Sequence, residues 1–325
     1  MKPPSQSISD VRKAERKLLY CAFRFVVRNV FKGPVRRTRH FREWFQIPMS
    51  YARIMEIPLT LLLLRATKKE KILDVSSPKL LAMYYALKGY DGLVASDLEN
   101  YFINDFEAYK KYAKVSLSTA VFDATRRIPF PDDHFDKIFS VSVLEHIPYD
   151  GDVLALRELL RVTKPTGSLV ITLPAFTHYV EEWTSSEHYW KSVQDEKGNI
   201  FFQRRYDQKT LLRNFAIPGA QIEDIILIAE KPIDQPRIDK TGRMLHNCHY
   251  IEKVRIPHLL KMLSRHLKYL PFLGYLAEYI VSKKCHYMTT DWEDPNIRQV
   301  VVKITKATDL ERDNAATSPG RNIQR

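Results

Sequence analysis

The stretch Lys71–Lys79, KILDVSSPK, decides the fold. Ile72, Leu73 and Val75 read as a short buried strand closing on the acid Asp74, followed by a tight turn and a helix opening through Lys79, Leu80, Leu81, Ala82 and Met83. Ser77 is the expected N-cap, and Pro78 suits the first helical position because its missing N–H would be orphaned there. A strand, a tight turn and a helix N-terminus make a corner where backbone N–H groups and the helix dipole favour a phosphate or carboxylate. Nucleotide-binding turns usually place glycines there so that backbone can approach ligand. This chain places Ser76, Ser77 and Pro78 instead.

Outward from that corner, strand-like segments at 71–75, 92–96, 119–122, 136–141 and 168–173 alternate with helical ones at 79–88, 101–112 and 152–162. Such alternation implies a parallel sheet wound on both faces, with ligands at the carboxyl ends of its strands. Asp207 can cap a further helix over 208–214, and 221–228 and 299–306 complete an expected α/β, Rossmann-like, seven-stranded doubly wound sheet. The expected organisation is a basic helical N-terminal extension (1–66), a core (67–230), a basic amphipathic helical insertion between the last two strands (231–295), the last core strand (296–307) and a mobile tail (308–325).

Three acids fall where the first three strands end: Asp74, Asp97 and Asp123. Asp97 lies about 20 residues beyond the turn, the distance at which a carboxylate meets ribose hydroxyls. Each acid alone fits a helix cap or a turn; the three in register point to a nucleoside site.

Further on, 127–147 reads RIPFPDDHFDKIFSVSVLEHI and 156–167 reads LRELLRVTKPTG. With the strand-end acids, these stretches resemble the class I S-adenosylmethionine-dependent methyltransferases, in the broad group that includes the ubiquinone-biosynthesis type. The resemblance implies S-adenosyl-L-methionine as cofactor and methyl transfer as activity, with a small or lipid-linked acceptor methylated on oxygen as the expectation. It implies that Asp74, Ser76 and Ser77 hold the methionine end, that Asp97 takes the ribose, that Asp123 and Ala124 contact the adenine, and that Val143 and Leu144 wall the cleft. It places Glu145 and His146 at the mouth facing the acceptor. A dedicated base is needed only for an acceptor that loses a proton early, and His146 is the candidate because an imidazole takes a proton near neutral pH. Its alternative is a hydrogen bond to the following loop. An aromatic segment between the fifth and sixth strands, with Tyr179, Tyr189 and Trp190, reads equally as a lid over the acceptor or as a satellite core. The family's Gly-x-Gly turn is the element this chain lacks.

The 325 residues carry 45% hydrophobic content and a formal net charge of +13, of which about +11 falls in residues 1–70. A basic flank suits an anionic membrane surface, an acidic partner, nucleic acid or only solvent. Nucleic acid is disfavoured, because no Asn-Pro-Pro-Tyr-type motif follows the fourth strand. The helix expected over 10–31 carries apolar Val11, Leu18, Leu19, Ala22, Phe23, Phe25, Val26, Val27 and Val30 beside Arg12, Arg16, Arg24 and Arg28, so it can lie in a membrane interface or pack on its own core. The stretch 256–284 offers a second basic amphipathic face.

Three scattered cysteines and no spanning apolar run fit a cytoplasmic protein, with peripheral membrane contact as the further expectation. The spacing of His246, Cys248, His249, Cys285 and His286 matches no ordinary zinc site, so no metal is expected. A rival to the enzyme reading remains: a catalytically silent member of the fold serving as a membrane-associated binding module.

Overall fold

The structure, a computed structural model, describes residues 5–184, 193–231 and 273–307. Four helices come first: α1 (Ile8–Asn29), α2 (Gly33–Arg36), α3 (Arg39–Gln46) and α4 (Arg53–Leu64). The alternating part then runs β1 (Ile72–Val75), α5 (Leu80–Leu87), β2 (Leu93–Asp97), α6 (Asn100–Ala113), β3 (Ser118–Val121), β4 (Phe135–Val141), α7 (Gly151–Val162) and β5 (Thr163–Pro174). A hairpin of β6 (Val180–Thr184) and β7 (Ile200–Arg205) follows, then α8 (Gln208–Phe215), β8 (Ala220–Glu230), α9 (Leu273–Cys285), β9 (His286–Thr289) and β10 (Ile297–Lys306).

The main sheet has the order β3-β2-β1-β4-β5-β10-β8-β9. β1 to β5 are parallel neighbours, while β10 runs antiparallel between β5 and β8. Chain order reverses between β1 and β4, which makes their carboxyl ends the switch point where such sheets bind ligands. Inward positions alternate as a doubly covered sheet requires. Phe139, Val141 and Val170 join the core under α1, α4 and α5, whereas Ile138, Leu169 and Ile171 join the one under α7 and α8.

Two expectations change. The sheet has eight strands rather than seven, because β9 pairs antiparallel with 227–230 at the edge; its four residues, HYMT, are too short and mixed to show a period. The expected helical insertion therefore holds a strand as well as α9, and its segment 232–272 lies outside the described residues, as does the tail from 308. Ser77 also does not cap a helix. The helix starts later, at Leu80, with Lys79 at the N-cap and no side-chain cap, because the Ser77 hydroxyl is spent on Val75 O and Val141 N.

The N-terminal helices share the main core. Val11, Leu18, Ala22, Phe25 and Val26 of α1 are buried in one cluster with Leu81 and Tyr85 of α5 and Val301 of β10. Most of the apolar residues that α1 could offer to a membrane are thus covered by the protein itself, while Phe23 and Val27 stay exposed. No described helix is long and apolar enough to cross a membrane.

Candidate active site

The first corner of the site sits at the ends of β1 and β2. Asp74 is fully buried; its Oδ1 accepts from Ser77 N at 3.1 Å, while its Oδ2 has no hydrogen-bond partner. Lys79, itself buried, lies between the two strand-end acids. Its Nζ donates to Ser96 O at 2.9 Å and stands 3.2 Å from Asp97 Oδ2 and 3.5 Å from Asp74 Oδ2. Asp97 Oδ1 accepts from Leu98 N at 2.9 Å. Burial pushes the Asp74 carboxyl up to about 6, Lys79 and the Ser77 bonds pull the other way, and the Asp97 charge adds to the rise.

The missing glycines are met by backbone conformation rather than by composition. Ser76 sits at φ 51, in the left-handed region that favours glycine, and Ser142, just past β4, sits at φ 50. Two strained serines therefore flank the switch point, where strain concentrates at functional sites. The turn's N–H groups are nevertheless occupied: Ser76 N donates to Ser96 O and Ser77 N to Asp74, and Pro78 has none. Asp123, just beyond β3, accepts from the Thr125 N–H and hydroxyl at 3.0 and 2.7 Å, and its neighbour Ala124 is half-buried.

A second corner lies at the ends of β4 and β5. Leu144–His146 form one 3-10 turn. Val143 is half-buried, and Leu144 is wholly in the core, so of this pair Val143 keeps surface to offer a cleft. Glu145 is buried instead of standing at the mouth, and neither of its carboxyl oxygens has a hydrogen-bond partner. Burial pushes it up to about 8, against the pull of Arg53. A carboxyl group in that state is neutral and carries a proton at pH 7.

The His146 Nδ1 lies 2.7 Å from Phe202 O, an acceptor, so Nδ1 carries the proton and Nε2 is the acceptor of the neutral ring; Nε2 stands 3.7 Å from Glu145 Oε1. The hydrogen bond expected from His146 to the following loop is made instead to strand β7, and the other ring nitrogen stands near an acid. Beside this pair, Glu56 of α4 is buried with Oε2 accepting from Thr172 Oγ1 at 2.6 Å and Ser142 Oγ at 3.1 Å, and its Oε1 is paired with Arg53.

The β6–β7 hairpin is fixed onto this corner. Arg204 donates to Asp152 Oδ1 at 2.9 Å and to Ile147 O at 2.6 Å, and Tyr206 Oη donates to Asp152 Oδ2 at 2.7 Å. At Gly151 a Cβ would stand 2.1 Å from Ile147 Cγ2, so a larger residue at the start of α7 would have to displace the Ile147 side chain. Tyr179 is exposed and donates to Glu181 at 3.0 Å. Tyr189 and Trp190 lie outside the described residues, as do His246, Cys248 and His249. Among the described residues no group of three or more His, Cys, Asp or Glu side chains is placed to hold a metal; His286 stacks on Tyr51, with its Nε2 3.4 Å from Glu230.

Sequence reading missed Lys79, Glu56 and Arg53. Each carried a faint signal as a charge isolated in apolar company: Lys79 before LLAMYYAL, and Arg53 and Glu56 within RIMEIPLTLLLL.

The residues of the first corner can be tested for fit to S-adenosylmethionine. Two carboxylates share one ammonium there, and a buried oxygen of Asp74 has no hydrogen-bond donor, so the corner keeps acceptor capacity and negative charge for a further cationic or donor group. Asp97 has two engaged donors where a carboxylate offers about four acceptor sites. The nucleoside and ammonium ends of the cofactor fit these residues.

Comparison with known proteins agrees with this geometry at the level of the domain. Residues 73–171 match the family model described as a methyltransferase domain. Among solved structures, the MccD protein is 14% identical, with 80% of this chain and 99% of that one covered and a TM-score of 0.47. The YcgJ protein from Bacillus subtilis is 12% identical, with 78% and 98% covered and a TM-score of 0.45. An S-adenosylmethionine dependent methyltransferase from Mesorhizobium loti is 14% identical, with 82% and 98% covered and a TM-score of 0.43. At such identities and TM-scores these likenesses carry no further weight. No curated protein matches the chain by sequence. The segment from 73 to 171, with its switch-point acids and its Leu-Glu-His turn, thus matches the methyltransferase-domain family model.

Proposed function

We propose that the chain transfers a methyl group from S-adenosylmethionine to an oxygen of a small or lipid-linked acceptor. The observation that carries this reading is the Asp74–Lys79–Asp97 corner at the switch point, which assembles two strand-end acids with charge left to complement. When bound, the cofactor supplies an electrophilic methyl on a sulfonium. Asp97 would accept from its ribose hydroxyls, the Asp74 corner would meet its ammonium, Asp123 and Ala124 would meet its adenine, and Val143 would line its cleft.

The second corner supplies what a hydroxyl acceptor needs. His146 Nε2 takes the acceptor's proton, and Nδ1, held on Phe202 O, fixes the ring's tautomer and orientation. Glu145, pushed up to about 8 by burial, would lend the forming imidazolium a counter-charge only above that pH, so below it the histidine acts without one. The fixed hairpin over this corner limits water at the reacting atoms.

One observation favours the rival reading of a silent, binding-only domain: the backbone donors of the turn are already spent, so they offer nothing to the methionyl carboxylate. Calorimetric titration with S-adenosylmethionine and S-adenosylhomocysteine separates the two. Saturable binding of both supports the enzyme reading, and absence of heat with either supports the silent one.

A further inference from the structure

The α1 helix has two apolar faces, and the core uses one of them. On the opposite, outer face Tyr20, Val27 and Phe31 are 58%, 53% and 97% exposed. At 100° per residue these positions fall within a narrow stripe that runs off the C-terminal end of the helix. Exposed cations border the stripe: Arg16 on one flank, and Arg24 and Arg28 on the other. The Arg24 guanidinium stacks over the Tyr20 ring at 5.5 Å, so an aromatic body and a cationic head are presented together.

We infer that this outer face of α1 docks on the surface of an anionic lipid bilayer. The inference is independent of the methyl-transfer reading and narrows the interfacial expectation for α1 to its outer face. Phe31 in particular has no role inside the fold, and leaving such a ring in water is a cost that a bilayer interface removes. Aromatic and aliphatic side chains at the centre of the stripe enter the headgroup–acyl boundary, while arginines on its borders meet lipid phosphates. A convex helix face suits a plane. Single-stranded nucleic acid, which also takes aromatics and arginines, needs a groove that tracks its backbone.

Flotation of the full chain with vesicles of phosphatidylcholine alone, and of phosphatidylcholine with roughly a third phosphatidylserine, tests the proposal. Binding is expected to the anionic vesicles, weakened by salt, and at least about tenfold weaker to the neutral ones. Val27→Asp/Phe31→Asp and, separately, Arg24→Glu/Arg28→Glu should each lower anionic-vesicle partitioning by about tenfold or more while the melting temperature stays put, since these side chains face outward. Equal flotation of wild type and both variants, no flotation of the wild type, or retention on single-stranded oligonucleotide in preference to vesicles would each overturn it.

Discussion

The two corners of the site handle buried carboxyl groups in opposite ways. At the ends of β1 and β2, Asp74 and Asp97 share the ammonium of Lys79, and Asp74 rises only to about 6. At the end of β4, Glu145 has no hydrogen-bond partner for either oxygen and rises to about 8. The carboxyl groups of the first corner are therefore charged at neutral pH, whereas Glu145 in the second is neutral. One side of the switch point keeps negative charge that can meet a cation, and the other holds its buried acid in the protonated form.

The sharpest way to break this contrast is to remove the internal cation. Lys79→Met leaves two buried carboxylates facing each other, and losing one partner of a buried pair costs roughly 3–5 kcal/mol. Chemical denaturation should show that loss, and Lys79→Met with Asp97→Asn should recover part of it. A loss below about 1 kcal/mol would mean the bridge does not hold the corner.

A somewhat smaller effect follows from Glu145. Its folded pKa is raised, so above the ordinary carboxyl range the unfolded chain binds fewer protons than the folded one. Stability therefore falls with rising pH until about 8 and is flat beyond. Glu145→Gln removes this slope, gaining on the order of 2 kcal/mol over wild type between pH 6 and pH 9. Thermal melts at the two pH values check it, and parallel pH profiles for the two proteins would place the proton elsewhere.

His146→Gln probes the chemistry alone. Turnover of any acceptor the wild type methylates should drop about 10²-fold or more, with cofactor affinity unchanged. Unaltered turnover would leave His146 as a support for Phe202 only. The smallest effect belongs to the turn: Ser76→Gly should leave stability within about 1 kcal/mol, whereas Ser76→Val, β-branched at positive φ, should cost about 1–2 kcal/mol and hinder cofactor approach. Denaturation and calorimetry on the pair decide it.

The sheet was legible because its strands are short apolar runs closed by acids, and Asp74, Asp97 and Asp123 mark the same edge in sequence and in space. Local patterning also found α1, but not which of its faces the core takes; that depends on α4 and α5, far along the chain. The eighth strand escaped because four residues cannot show a period. The capping role given to Ser77 failed because Val141 N, 64 residues away, competes for its hydroxyl. The polar contents of the second corner were hidden for the same reason: Glu56 gains meaning only when Ser142 and Thr172 arrive from other strands.

The central claim is that the Asp74–Lys79–Asp97 corner receives the cofactor. Calorimetric titration of the intact chain with S-adenosylmethionine at pH 7.5 and pH 5, beside Asp97→Asn at pH 7.5, tests it most directly. Saturable binding at pH 7.5 is expected to weaken several-fold at pH 5, as Asp74 takes a proton below about 6, and to be largely lost in Asp97→Asn. Binding that is absent from the wild type, or indifferent to both changes, would contradict it.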